Sequence, residues 1–365
     1  MRNGSSYPIR EVYVSDTIKT ISMSIFCVVA VIGIVGNLLT IISIILNKRL
    51  KSIPNVYICN LAIADLIVCA VIAPFSAYMF TVDPSSVSPQ ICTFIGALTA
   101  GLLGKTMFGL TAIAVNRFIL LVKGGKIYNK IYSRYSVTVS VCLLWILPVL
   151  IILPGLFGFG QFGYNSMLGA CIFISHDLMT YIYVQTILHG VCVGPCVIIT
   201  TLCYAFIIVH FRKTQRRIRE SVYQPPLSDC NAAKVKDTEQ CSGSNHTDEK
   251  NKAYEDDASS SGPSNNNSSR ISHNRIRKRT KASRRVVMNL CTVFTVFLFC
   301  WLPIVSIFTI DIHNQLPASV SHIFYSIAVS NSCLNVFIYA GMNSAFRSSY
   351  VNILTFRFHR INSTF

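Results

Sequence analysis

Asp65 is the residue whose chemistry most needs explaining, because it sits within an apolar run, Asn60-Leu61-Ala62-Ile63-Ala64-Asp65. A lone carboxylate among hydrocarbon must be protonated, paired or coordinated. Polar residues on other apolar runs are at hand: Asn37, Thr106, Asn331, Ser332 and Asn335. Their oxygens are the ligand type that a small hard cation takes, with sodium the candidate. The same groups would equally build a neutral hydrogen-bonded network, and the residue types leave both readings open. A lysine, Lys105, stands beside Thr106 with only polar neighbours to pair with. Arg117, in Asn116-Arg117-Phe118, either snorkels to an interface or faces an opening in the fold. Asn331, Asn335 and Tyr339 recur every four residues and share one helix face. Phe297, Cys300, Trp301 and Pro303 form a last group, in which the proline removes a backbone bond and kinks a helix. Trp301, just before that kink, would swing with it or simply pack in the core.

These residues lie on seven apolar stretches, 21–46, 54–80, 91–122, 135–157, 178–209, 286–310 and 316–339. Each can cross a hydrocarbon core of about 30 Å as a helix, and none has the alternation of a barrel strand. With 52% hydrophobic and 13% charged residues, the composition is far from that of a soluble domain. Lys and Arg number three in the connection after the first stretch, four after the third, seventeen after the fifth and three in the tail. The connections after the second, fourth and sixth have none. The positive-inside rule then puts the N-terminus outside and the C-terminus in the cytosol. The net charge of +17 belongs to loops facing an anionic leaflet and cytosolic partners, not to nucleic-acid binding.

The sequence therefore reads as an all-α membrane protein, a seven-transmembrane helix bundle with a short amphipathic helix after the seventh span. Phe346, Tyr350, Ile353 and Leu354 fall on one face of that last helix. Residues 1–20 form an extracellular N-terminus with a glycosylation sequon at Asn3. Residues 21–346 are the helical domain, and 347–365 a cytoplasmic tail. Within the domain, 213–283 is expected to be a long disordered cytoplasmic loop, too polar to bury a core. Its basic ends, 212–219 and 275–285, continue the fifth and sixth helices. Of the fourteen cysteines, Cys92 and Cys171 both face the oxidising side, and a disulfide between them is expected.

The whole set, in order, resembles the rhodopsin-like (class A) G-protein-coupled receptors over all of the chain but the long loop. The residues that carry the resemblance are Gly36-Asn37, then Asn60, Leu61, Ala62 and Asp65, then Cys92 with Arg117. Trp145, Pro195, Phe297-x-x-Cys300-Trp301-x-Pro303, Asn335-x-x-x-Tyr339 and Asn343-x-x-Phe346-Arg347 complete it. Asn116-Arg117-Phe118 and Asn331-Ser332-Cys333-Leu334-Asn335 look most like melatonin receptors and related invertebrate orphan receptors. The resemblance implies a plasma-membrane, multi-pass receptor that binds an extracellular small molecule and couples to a heterotrimeric G protein. Arrestin and receptor kinases follow as further partners. Asn116, Arg117, Phe118, Phe297, Trp301, Pro303, Asn335 and Tyr339 would form the coupling and activation set. Thr99, Leu103, His189, Trp301, Phe308 and Tyr325 would form the ligand pocket, with His189 equally open to a core role. Thr99 stands where amine receptors of the class carry an aspartate, and the outer loops hold no Lys or Arg, so a neutral or lipophilic ligand suits best.

The departures from the family pattern carry expectations of their own. Asn116 replaces the usual acidic residue before the arginine, and Ser283 stands near the usual acidic partner on the sixth helix. Restraint of the resting state should therefore be weak, with signalling in the absence of ligand. Val336 replaces the usual proline after Asn335. Tyr204 follows Pro195 by nine residues where eight is usual, so a bulge is expected between them. The end, Ser363-Thr364-Phe365, matches what PDZ domains read, against the alternative of a frayed terminus. The rival class, a seven-helix transporter or channel, lacks the inverted repeats, broken helices or charged rings it would need. Light sensing needs a lysine on the seventh stretch, which has none. No metal cluster or nucleophile–base pair suggests an enzyme.

Overall fold

The structure, a computed structural model, describes residues 14–158, 161–174, 190, 193–223, 265–310 and 316–357. The chain divides into two compact units, Met1–Ile208 with Arg284–Phe365, and Val209–Ser283. In chain order the elements are α1 (Asp16–Leu46), α2 (Ile53–Tyr78), α3 (Pro89–Lys123), α4 (Gly125–Ile131) and α5 (Arg134–Leu156). A hairpin of β1 (Phe162–Asn165) and β2 (Ala170–Phe173) follows, then α6 (Gly194–Tyr223), α7 (Asn265–Ile310), α8 (Ala318–Met342) and α9 (Ser344–Leu354). Seven of these, all but α4 and α9, are long and apolar enough to cross a membrane. Their outward faces keep residues such as Val31, Phe94, Ile198 and Phe299 exposed, which is the lipid-facing pattern of a span rather than a soluble surface.

Local chemistry sets the ends. Helix α1 starts at Asp16, five residues before the apolar run, because the Ser15 hydroxyl caps it by accepting from the Ile18 N–H at 3.4 Å. Its first turn is polar, with Asp16 and Lys19 paired at 3.5 Å, and so escapes a hydropathy reading. In α2 the turn Val68–Ile72 is a π-helix, just before Pro74. Proline cannot donate to the ladder, and the wider turn absorbs that break. Helix α3 also closes on a π turn, Ile119–Lys123, stopped by Gly124 at φ 86°, a left-handed conformation suited to glycine.

Three expectations need correction. Helix α6 is continuous from Gly194 through Tyr204, so no bulge separates Pro195 from Tyr204. The loop expected to be disordered over 213–283 is helical as far as Tyr223 and again from Asn265. The Arg and Lys of 212–219 and 275–285 are good helix formers, whereas 265–274, mostly Asn and Ser, has no local propensity that explains its helix. Residues 224–264 lie outside the described set. The domain boundary placed at 346 falls inside α9, which Asn343 caps by accepting from the Ala345 N–H at 3.0 Å. Far from being a loose tail, α9 is fastened to α1. The Tyr350 hydroxyl meets Thr40 Oγ1 at 2.7 Å, and Asn47 Nδ2 donates to Ser349 Oγ at 2.8 Å.

At the other end of the bundle the hairpin lies across α3. The expected disulfide is present, joining Cys92 to Cys171 with the Cα atoms 5.1 Å apart. A Cβ on Gly96 would sit 3.2 Å from the Ile172 backbone, tight enough that β2 would have to move back slightly to admit a side chain there.

Candidate ligand cavity and signalling core

Below the hairpin, α3, α5, α7 and α8 enclose a cavity of about 100 Å³. Helical spacing on α3 turns Thr99, Leu103 and Met107 toward it, and Trp301 and Phe308 come from α7, Tyr325 from α8 and Ile172 from β2. Five of the six residues expected in a pocket therefore line one space; His189 lies outside the described residues. The walls are almost wholly apolar. The Thr99 hydroxyl, the polar group nearest to an amine-receptor aspartate, donates instead to its own helix at Ile95 O, 2.8 Å away. Trp301 stacks on Phe297 with centroids 6.1 Å apart, two residues before Pro303, which lies inside α7.

A second chamber of about 20 Å³ continues inward from the first, sharing Thr99, Leu103, Phe297 and Trp301 and reaching Thr106, Asn331 and Ser332. That is room for one water-sized occupant. It opens onto the Asp65 cluster. Asn335 Nδ2 donates to Asp65 Oδ2 at 2.8 Å, and Asn37 Nδ2 donates to the Ser332 carbonyl at 3.0 Å. Asp65 Oδ1, Asn331 Oδ1 and Asn335 Oδ1 are buried acceptors with no donor. One carboxylate oxygen and two amide oxygens left without donors are the ligand type a small hard cation such as sodium takes. The local charge is a separate matter. Lys105 is only 1% exposed, its ammonium donates to the Asn60 carbonyl, and it sits 4.9 Å from the Trp145 ring centroid. Trp145 Nε1 in turn donates to Asn60 Oδ1 at 2.8 Å. Sequence reasoning named Asn60, Lys105 and Trp145 separately and missed that they form one cluster; the signal was a lysine at mid-span.

Toward the α9 end, Asn116 is fully buried and donates to the Tyr128 hydroxyl at 3.2 Å, while its Oδ1 finds no donor. Burial, reinforced by nearby Tyr57, pushes the Tyr132 phenol on the connection after α4 up to about 12, against a hydrogen bond from Asn116. Arg117 takes part in no ion pair among the described residues, and its Nε has no partner. Phe118 packs on Phe206 of α6, and Tyr339 of α8 is buried against Phe346 of α9 with its hydroxyl unpartnered. The Ser283 side chain lies outside the described residues, as do Asn3 and the terminal Ser363-Thr364-Phe365. On the hairpin side, Asp83 accepts from the Ser85 N–H at 2.9 Å and Ser85 Oγ at 2.8 Å, which holds its carboxyl below the usual range.

The model of the 7 transmembrane receptor (rhodopsin family) matches residues 36–339. The G-protein coupled receptor moody of Drosophila melanogaster is 24% identical over 93% of this chain and 52% of its own length. The chain thus spans about half the length of that relative. The melatonin receptor type 1B-B of Danio rerio is 26% identical over 91% of this chain and 81% of its own. Among solved structures, squid rhodopsin aligns with a TM-score of 0.73 at 15% identity, over 94% of this chain and 87% of that one, a likeness of fold.

Proposed function

The chain belongs to the rhodopsin family of seven-transmembrane receptors, G-protein-coupled receptors rather than enzymes, and from that membership we propose that it senses a small, uncharged, lipophilic ligand and activates a heterotrimeric G protein. The observation that carries the ligand class is the cavity below the hairpin. Its walls are almost wholly apolar and, among the described residues, carry no carboxylate to pair with a cationic amine. The named melatonin receptors among the relatives support an uncharged aromatic ligand of similar size. Ligand seated against Trp301 would favour one position of α7 over another, and a difference in affinity between two states is all that activation requires. Arg117 and Tyr339 act at the α9 end.

The basic connections put that end in the cytosol of a plasma-membrane receptor, with Asn3 outside as a glycosylation site. Receptor kinases and arrestin act on the same cytosolic side, and a PDZ scaffold is a further candidate partner at Phe365. The oxygens of Asp65, Thr106, Asn331, Ser332 and Asn335 would hold a sodium ion were the carboxylate otherwise unmatched. The test is a G-protein dissociation screen in cells, starting from melatonin and widening to other uncharged lipophiles with cationic amines as the contrast. Activation by an uncharged lipophile, lost in Leu103→Trp, is the expected result. Activation by amines alone would overturn the ligand class, and G-protein silence with every ligand would overturn the coupling.

A further inference from the structure

We infer that Lys105 is a built-in counter-cation for Asp65, a tethered ammonium that opposes entry of a sodium ion into the same buried cluster. This rests on reading the Asp65 oxygens as a cation site, but on neither the ligand nor the G protein. Lys105 lies 13 residues from Cys92 and 12 from Arg117 on α3, so at the rise of an α-helix it is about 20 Å from one end of the span and about 18 Å from the other. Its four-carbon stem cannot cover either distance, so snorkelling is excluded. Both Lys105 and Asp65 are 1% exposed. They are the two charged-type side chains at mid-depth among the described spans, and α2 links them: Asp65 lies on it five residues after Asn60, whose carbonyl accepts from Lys105.

The surroundings of the ammonium are built to keep it in place. The Asn60 carbonyl accepts from Nζ, and the Trp145 face lies 4.9 Å away. Trp145 is itself held by its hydrogen bond to the Asn60 side chain. The carboxylate is held by Asn335 of α8. The result is a chain of contacts from α5 through α3 and α2 to α8, with one positive and one negative charge in it. A buried cluster that is already neutral pays the full desolvation of any further cation. A sodium ion would find oxygens that suit it and a charge balance that does not. Removing the ammonium leaves the carboxylate unmatched in a dry bundle, and sodium becomes the available counter-charge.

The experiment uses the purified full chain in detergent and reads thermal melting in sodium chloride against N-methylglucamine chloride, each at about 0.15 M so that screening is matched. Wild type should melt at the same temperature in both salts. Lys105→Met keeps the stem and volume, and it should melt higher in sodium by several degrees. Asp65→Asn/Lys105→Met should lose that difference. A wild-type sodium shift as large as that of Lys105→Met would overturn the role of Lys105. No shift in any variant would overturn the cation site beneath it. A second measurement is independent of sodium. Asp65→Asn alone leaves Lys105 charged and unmatched, so it should melt lower than the double variant; simple additivity of the two single losses would refute the pairing.

Discussion

At the residue scale, the signalling end turns on what Arg117 lacks. The residue before it is Asn116, whose amide reaches Tyr128 but places no negative charge beside the guanidinium. Arg117 therefore has desolvation to offset and, among the described residues, no ion pair to offset it. Two outcomes follow. Arg117→Ala should abolish G-protein activation while surface expression and ligand affinity stay near wild type; coupling retained at the wild-type level would reduce Arg117 to an interfacial anchor. Asn116→Asp should lower ligand-free signalling severalfold, since a carboxylate on the residue next to the guanidinium stabilises the resting arrangement. Equal basal output from wild type and the variant would remove the charge argument. The Asp65 cluster, by contrast, was legible only in part. A mid-span carboxylate and a mid-span lysine are visible in the sequence, but helical phase within one stretch says nothing about which neighbouring helix a side chain meets. The Lys105–Asn60–Trp145 contacts exist only once α2, α3 and α5 are packed.

At the scale of elements, α8 and α9 show how a departure from a pattern is absorbed. Val336 stands where a proline is usual, and α8 is helical from Ala318 to Met342 without a break. Val336 also packs on Gly36 of α1, where a Cβ on the glycine would come within 2.7 Å of the valine side chain. The Ser332 carbonyl, the partner of the 336 amide in the helix ladder, already accepts from Asn37. Val336→Pro should therefore cost well under the roughly 3 kcal/mol of a mid-helix proline, because the freed carbonyl keeps a donor; a loss of the full amount in thermal melting would mean that Asn37 does not compensate. Helix α9 is pinned by Tyr350, whose phenol is pushed up to about 12 by burial, with its hydrogen bond to Thr40 working the other way. Its folded value exceeds the usual value of about 10, so its stabilisation is complete below about pH 10 and is lost as pH rises through about 12. Tyr350→Phe should cost about 1 kcal/mol at neutral pH and flatten the alkaline release of α9, followed by a fluorophore at the tail; an unchanged alkaline profile would place the release elsewhere. The amphipathic pattern of α9 was readable, but its anchorage to Thr40 and Asn47 was not, since polar residues on α1 looked like ordinary helix residues 300 positions away in the chain.

At the scale of the whole molecule, the seven spans were plain in the sequence because lipid imposes long unbroken apolar runs, while the depth of the cavity depended on a short hairpin that no hydropathy pattern marks. That hairpin connects the two ends of one argument. Cys171 ties β2 to Cys92 at the head of α3, and Ile172 and Phe173, the next two residues, are walls of the cavity. The bridge closes a segment of 79 residues, which in a soluble chain would be worth about 2–4 kcal/mol through restriction of the unfolded state. Here α3 and α5 remain threaded through the membrane when tertiary packing is lost, so the open segment is already restricted and the gain in melting should fall below that range. The larger effect should be on the cavity. Without the bridge, the hairpin is left on α3 by packing, at Gly96 among other places, and by the Thr93 hydroxyl donating to Phe162 O of β1 at 3.1 Å, and it can lift from its wall position. Cys92→Ser/Cys171→Ser should therefore release bound ligand at least about tenfold faster, the equivalent of about 1.4 kcal/mol, with a smaller change in melting temperature. Unchanged dissociation together with a large fall in melting would reverse that order and make the bridge a scaffold element with no part in closing the cavity.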